Sequence, residues 1–229
     1  MTETIADMAS EIPASSFDAD CRRCMRLAEH LDRVRASYPD YHAAPVPPFG
    51  ESDATLLVVG LAPGMHGANA SGRPFTGDYA GILLYETLYR YGFSSAPASH
   101  ARDDGLALHA CRITNAVKCL PPQNKPTGEE VRNCNGFLSA ELDELGRGGL
   151  VLALGLVAHN AVLRALGLKQ GACRFAHGAE HELPNGRRLL DSYHCSRYNT
   201  QTRRLTDEMF HAVFARAREL QGEVIVRLS

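Results

Sequence analysis

Apolar residues along this chain fall into short dense blocks, separated by stretches whose apolar positions recur at helical spacing. The first block, residues 54–60, reads Ala-Thr-Leu-Leu-Val-Val-Gly. It lacks the alternation of a half-exposed strand and ends in glycine, as a parallel strand buried on both faces does. A glycine-rich stretch to Gly77 follows, and then Ile82, Leu83, Tyr85, Leu88 and Tyr89 predict a helix over 79–91. Residues 111–117 predict a second strand. Beyond a proline-rich loop, Thr127-Gly-Glu-Glu130 has the form of a capping box and opens another helix. Residues 149–155 predict a third strand, with a helix to about Leu166. An Asn185-Gly186 turn precedes a fourth strand at 188–193, and Thr206 is placed to cap a last helix reaching about Leu220. Upstream, Asp18 or Asp20 can cap a helix to Ala36, 38–50 reads as a loop, and 1–14 as a disordered tail.

Strand, loop and helix in repeated alternation predict an α/β fold: a three-layer α/β/α sandwich around a central four-stranded, mostly parallel sheet. With no internal repeat and no linker, 15–229 is expected to form a single domain. At 229 residues, 45% hydrophobic and 22% charged, the chain can build a full core without covalent staples. The net charge of −2 is not that of a protein that coats nucleic acid, although a local basic face would suffice to bind it. Residues 1–20 carry no apolar leader core, and no apolar run approaches the roughly 20 residues of a membrane span. A cytoplasmic protein with no membrane partner is expected, and there seven cysteines point to metal or redox chemistry before disulfides.

In open α/β sheets, ligands bind beyond the carboxyl ends of the strands, and the unusual residues cluster at those positions. The loop from Gly60 to Gly81 holds six glycines in 22 residues, with Phe75 and Asp78 among them. Asn115 closes the second strand, His159 follows the third, and His194 the fourth. Each has a plain structural alternative: an N-cap for Asp78, a core plug for Phe75, a turn residue for Asn115, a capped or core imidazole for His194, and a helix cap for His159. Cys21 and Cys24, at the start of the first expected helix, pair with Cys119 and Cys134 to give four thiolates, which suit either a tetrahedral Zn²⁺ or an iron–sulfur cluster. Cys111, Cys173 and Cys195 read as structural.

Gly60-Leu-Ala-Pro-Gly64, together with Gly72-Arg-Pro-Phe-Thr-Gly-Asp-Tyr-Ala-Gly81, resembles the first motif of the uracil-DNA glycosylase superfamily. The version with His66-Gly67 and Thr76-Gly77-Asp78 is similar to family 5, the iron–sulfur branch called type b. Residues 115–126, Asn-Ala-Val-Lys-Cys-Leu-Pro-Pro-Gln-Asn-Lys-Pro, resemble that branch's second motif, and Tyr193-His-Cys-Ser196 with Asn199-Thr200 its third. The resemblance spans about residues 21–210. It implies a monofunctional DNA-repair glycosylase that flips uracil out of the duplex and hydrolyses its N-glycosidic bond, leaving an abasic site. Hypoxanthine and other deaminated or modified bases are further candidate substrates. It also implies a [4Fe–4S] cluster on Cys21, Cys24, Cys119 and Cys134.

On that reading Asn115 grips the uracil edge, Phe75 stacks on the base, and backbone groups of Leu61, Ala62 and Gly64 meet a base carbonyl. His194 donates to O2 of the leaving anion, and Asp78 positions water and offsets charge on the sugar. In this superfamily an acidic or Asn residue often stands earlier in the first motif; here Ala62 lies in that region and cannot polarise water. His66 and Asn69 assist with water or phosphate. Residues 196–200 form a loop entering the minor groove, so Ser196, Arg197, Tyr198 and Asn199 are expected at the DNA, with Lys125, Arg203 and Arg204 on phosphates. A monomer is expected. Two rival readings remain: a non-catalytic zinc-containing nucleic-acid-binding module, and a nucleotide hydrolase using the glycine-rich loop as a phosphate cradle, although that loop lacks a Gly-Lys-Ser/Thr ending.

Overall fold

A computed structural model describes residues 17–145 and 148–228. The expected tail at 1–14 lies outside the described residues. The strands are β1 (Phe49–Gly50), β2 (Leu56–Gly60), β3 (Cys111–Asn115), β4 (Leu150–Leu154), β5 (Glu180–Glu182) and β6 (Arg188–Ser192). The helices are α1 (Met25–Ser37), α2 (Ala68–Ser71), α3 (Tyr79–Arg90), α4 (Gly128–Glu144), α5 (Leu156–Ala165), α6 (Arg197–Gln201) and α7 (Asp207–Leu228).

The sheet runs β1-β3-β2-β4-β6-β5. Its four inner strands are parallel, in the register Gly60↔Asn115, Leu57↔Val151 and Leu154↔Ser192. The four expected strands are this parallel centre. Two short antiparallel edge strands, β1 and β5, complete a mixed six-stranded sheet. They escape hydrophobic pattern reading because β1 has two residues and β5 is Glu-His-Glu.

Alternate residues of the buried strands feed two cores, as the pleat requires. Leu56, Val58, Ile113, Leu152 and Leu190 pack under α3 and α7, against Leu84, Tyr85, Phe210 and Phe214. Leu57, Val59, Val151, Ala153 and Leu189 pack under α4 and α5, against Leu138, Leu142, Ala158 and Val162. A third cluster joins Leu27, Leu31 and Val34 of α1 to Val117, Leu120 and Phe137. Chain connections leave β2 and β4 in opposite directions across the sheet, so the crevice between their carboxyl ends is a topological switch point.

Three expected boundaries move. Helix α1 begins at Met25, not at Asp18 or Asp20, and Cys24 holds its N-cap position, so Cys21 and Cys24 lie in the turns before the helix. The segment expected as a loop at 196–200 forms a helical turn, α6, in which the Ser196 hydroxyl accepts from the Asn199 amide. Helix α7 continues to Leu228 beyond the expected end near Leu220.

Candidate active site

A cavity of about 550 Å³ opens at the switch point, within the size range of small-molecule sites. Four loops wall it. Leu61, Ala62 and Gly64 follow β2, Asn115 closes β3, Leu154 and Gly155 close β4, and His194 follows β6. Phe75 and Asp78 enter from the loop before α3, and Tyr79, Asn124, Leu156, Val157, Ser196, Arg197 and Tyr198 form the rest of the wall.

Asp78 stands at the N-cap of α3, yet its side chain makes no capping bond to that helix. The carboxylate turns back into its own loop and accepts from the Ala68 amide at 3.1 Å and from the Gly64 amide. A Cβ on Gly64 or on Gly67 would lie 2.1 Å from Asp78 Oδ1, so this approach requires glycine at both positions. Burial pushes the Asp78 carboxyl above its usual range, opposed by the two amides.

Asn115 is 3% exposed, and its Oδ1 has no hydrogen-bond partner in the protein. A buried, orphaned acceptor on a cavity wall is costly unless a ligand pairs with it. Its neighbour across the sheet, Gly60, would place a Cβ 2.4 Å from that oxygen and 2.7 Å from Phe75 Cζ, so glycine there admits both side chains. Phe75 is buried and adopts φ 60°, a conformation that costs a bulky residue strain and that its surroundings must enforce. Its ring stacks on His194 with centroids 6.0 Å apart and 24° between planes. Burial pushes the His194 imidazole down to about 4, so it is neutral near pH 7.

Buried polar groups behind the wall hold these residues. Lys118 Nζ donates to the Asn115 carbonyl at 3.0 Å and to Glu141 at 2.7 and 3.0 Å, and also bonds Thr114 Oγ1. Arg73 pairs with Asp104 at 2.6 Å, donates to the Arg102 carbonyl, and lies over the Phe49 ring, anchoring the strained turn beside Phe75. Asn199 Nδ2 donates to the His194 carbonyl at 2.8 Å. Arg73, Tyr79, Lys118 and Asn124 stand inside the motif segments, and Leu156 and Val157 follow β4; none had an individual role expected from the sequence, and membership of those segments is the signal that could have singled out the first four.

Other predicted residues fall elsewhere. His66 does not line the cavity: its imidazole meets Tyr41 Oη at 2.8 Å and packs edge-on to Tyr38. Asn69 is fully buried in α2, where its amide donates to the Met65 carbonyl at 3.4 Å. Lys125 is exposed, with its carbonyl receiving Arg26 at 3.1 Å. The expected helix-cap role of His159 is not what forms; its imidazole bonds Asp191 from inside α5. Cys111 and Cys195 are fully buried, and Cys195 Sγ points to the Ala80 carbonyl at 3.4 Å.

Cys21, Cys24, Cys119 and Cys134 line one small separate pocket, walled by Leu27, Val117 and Phe137. The Lys118 amide donates to Cys134 Sγ at 3.2 Å, and Asn133 Nδ2 to Cys24 Sγ at 3.6 Å. Burial and the neighbouring thiols push Cys119 up, and burial pushes Cys134 up to about 11. Four thiols crowded in an apolar pocket, with amide donors to the sulfurs, fit a bound metal or cluster that takes up thiolate charge.

Residues 47–218 match the family model described as "Uracil DNA glycosylase superfamily". The chain is 49% identical over 207 residues to a protein of Thermus thermophilus named "Type-5 uracil-DNA glycosylase", covering 88% of this chain and 94% of that one. The chain belongs to the type-5 branch of the uracil-DNA glycosylase superfamily. Proteins of the same printed name from Pyrobaculum aerophilum and Mycobacterium leprae are 44% and 42% identical, covering 86% and 88% of this chain and 88% and 92% of theirs. This type-5 chain carries its three motifs on the loops after β2, β3 and β6, all of which reach the cavity.

Proposed function

We propose that this chain excises uracil from DNA as a monofunctional glycosylase, hydrolysing the N-glycosidic bond of a flipped-out nucleotide and leaving an abasic site. The observation that carries the reading is the convergence of Asp78, Asn115, Phe75 and His194 on one cavity. The names of the relatives support uracil as the base.

Breaking this bond leaves positive charge on the sugar and negative charge on the base, and the site offers a group for each. Asn115 uses its free Oδ1 to accept from uracil N3–H and its amide nitrogen to donate to the adjacent carbonyl oxygen. Phe75 holds the face of the base, with the Leu61–Ala62 backbone near its edge. His194, neutral at working pH, donates a hydrogen bond to O2 as charge accumulates there, which stabilises the leaving anion without requiring a full proton transfer. Asp78 opposes the developing oxocarbenium charge and orients the attacking water. Its raised pKa makes it a better base than an exposed aspartate. At the mouth, Tyr198 is 71% exposed and Leu156 53% exposed. Tyr198 fills the gap left by the flipped base, while Arg197 and Lys125 meet phosphates, and Ser196 and Asn199 shape the turn that presents them. Other deaminated bases able to pair with Asn115 are secondary substrates. The enzyme acts as a monomer in the cytoplasm; among the described residues no helix is long and apolar enough to cross a membrane.

Cys21, Cys24, Cys119 and Cys134 would hold a [4Fe–4S] cluster. When bound, it supplies a rigid cross-link between the turn before α1 and the segment carrying the second motif.

The test is a duplex with one labelled uracil, incubated with EDTA present and then treated with hot alkali. Strand cleavage at uracil that appears only after alkali is expected, and that product should be lost in Asp78→Ala, Asn115→Ala and His194→Ala proteins that keep their fold. Release of uracil from free deoxyuridine but not from DNA would favour a nucleoside or nucleotide hydrolase. Iron and acid-labile sulfide at about four each per chain, with broad visible absorption, are expected of the cluster. Stoichiometric zinc in their place would make the site a zinc centre.

A further inference from the structure

On the α4/α5 side of the sheet, away from the cavity and the four cysteines, two histidines meet a fully buried carboxylate. Asp191 of β6 is 0% exposed and His159 of α5 is 1% exposed, while His181 of β5 retains partial access from the sheet edge. His159 Nδ1 lies 2.8 Å from Asp191 Oδ1, and His181 Nε2 lies 3.3 Å from Oδ2. One donor atom from each of the three residues lies within 4.8 Å of the other two.

Proton accounting at His159 makes the cluster unusual. Its Nε2 faces the Cys173 carbonyl at 3.2 Å. A neutral ring with its hydrogen on Nδ1 would set the Nε2 lone pair against that carbonyl, which can only accept; with Nε2–H donated to the carbonyl, the neutral ring presents a lone pair on Nδ1 to the carboxylate. Two lone pairs at 2.8 Å repel unless a cation, either a proton or a metal ion, lies between them. A ring nitrogen fixed by N–H to a backbone carbonyl, with the other nitrogen turned to a carboxylate and a second imidazole, is the usual arrangement of a metal-ligating histidine. The two rings are 5.7 Å apart at 72°, and two imidazoles on one tetrahedral ion with metal–nitrogen bonds near 2.0 Å sit about 5 Å apart.

We propose that His159, His181 and Asp191 form a second metal site for a borderline divalent cation of the Zn²⁺ class. Two nitrogens and one carboxylate select such an ion over Mg²⁺ or Ca²⁺, which prefer oxygen. The ion pins α5, the edge strand β5 and β6 together just before the third motif, and it has no part in the chemistry at the cavity. The backbone reinforces that junction, because the Asp191 amide donates to Ala179 O at 2.9 Å and the Gly178 amide to Asp191 O at 2.8 Å.

The test titrates the full-length protein, as purified and briefly treated with EDTA, with Co²⁺ as a spectroscopic probe and Zn²⁺ as competitor. One equivalent of Co²⁺ with weak visible d–d bands and no near-ultraviolet thiolate charge-transfer band is expected, displaced by Zn²⁺. Zn²⁺ should raise Tm by several degrees. Both effects should vanish in His181→Gln, whose side chain sits at the sheet edge, and persist in Cys173→Ser. Glycosylase activity of His181→Gln on the uracil duplex should stay within twofold of the parent. Absence of a saturable Co²⁺ event, its survival in His181→Gln, or a thiolate band would overturn the proposal and leave a proton between His159 and Asp191.

Discussion

Asp78 holds the N-cap position of α3 without capping it through its side chain. Its place at the start of α3 suits a helix cap, but its carboxylate is turned away and held by the Ala68 and Gly64 amides. Because burial raises its folded pKa above the unfolded value, ionised Asp78 costs stability at neutral pH, a cost that fades as pH falls through the raised folded value and is gone below the unfolded carboxyl range. Asp78→Asn is therefore expected to melt higher than the parent at pH 7 while losing roughly 10²–10³-fold in single-turnover rate; an unchanged rate would remove the residue from the chemistry. The parent's acid limb in kcat/KM should lie above the ordinary aspartate range. His194 works in the opposite sense. Its folded pKa, about 4, lies below the unfolded value, so its contribution to stability is complete above roughly pH 6.5 and is lost as pH falls from there toward 4. Chemical denaturation across that window should give a flatter profile for His194→Gln than for the parent. Gly60→Ala tests packing alone: a Cβ 2.4 Å from Asn115 Oδ1 must displace the Asn115 amide, so activity should fall steeply with only a modest change in Tm. These residues could be picked from the sequence by motif and loop position. Their orientations could not, because which way the Asp78 side chain turns depends on the room left by Gly64 and Gly67, ten or more positions earlier.

Elements with strong local signals formed as read. The Thr127 hydroxyl accepts from the Glu130 amide, Glu130 returns a bond to the Thr127 amide at 2.7 Å, and α4 begins there. Thr206 likewise receives the Met209 amide at the start of α7. Elements that borrow their stability were not legible. Strand β5 exists because β6 offers it an edge, and α6 because Ser196 and Asn199 close a single turn. Lys118 and Glu141 form a buried pair joining β3's end to α4 that no local pattern announces. Removing one partner, as in Lys118→Ala, should cost about 3–5 kcal/mol by leaving Glu141 charged and unpaired. The double replacement Lys118→Met with Glu141→Leu should recover most of that stability. It should still show reduced activity, because the Asn115 carbonyl loses its donor; urea melts and the duplex assay measure the two effects separately. Recovery of activity along with stability would reduce Lys118 to a packing role.

At the scale of the molecule, α1 and the second-motif region meet through the cysteine pocket, the Arg26–Glu130 ion pair, the Arg26 bond to the Lys125 carbonyl and a small apolar cluster. Cys119→Ser should therefore lose bound metal and lower Tm by several degrees, with activity declining as the 115–126 segment loosens; a variant that loses metal but keeps parental Tm and rate would mean that the pocket's contents are dispensable to the fold. The sequence by itself determined the alternation of buried strands and amphipathic helices, the parallel centre of the sheet and the three motif loops, because hydrophobic period, caps and glycine placement act over a few residues at a time. Only the tertiary structure decided the edge strands, the turned carboxylate of Asp78, the orphaned oxygen of Asn115 and the meeting of His159 with Asp191. Each of these depends on groups far apart in the chain sharing one small volume, and the energies that fix them, burial and hydrogen-bond satisfaction, are set by the neighbours that folding supplies.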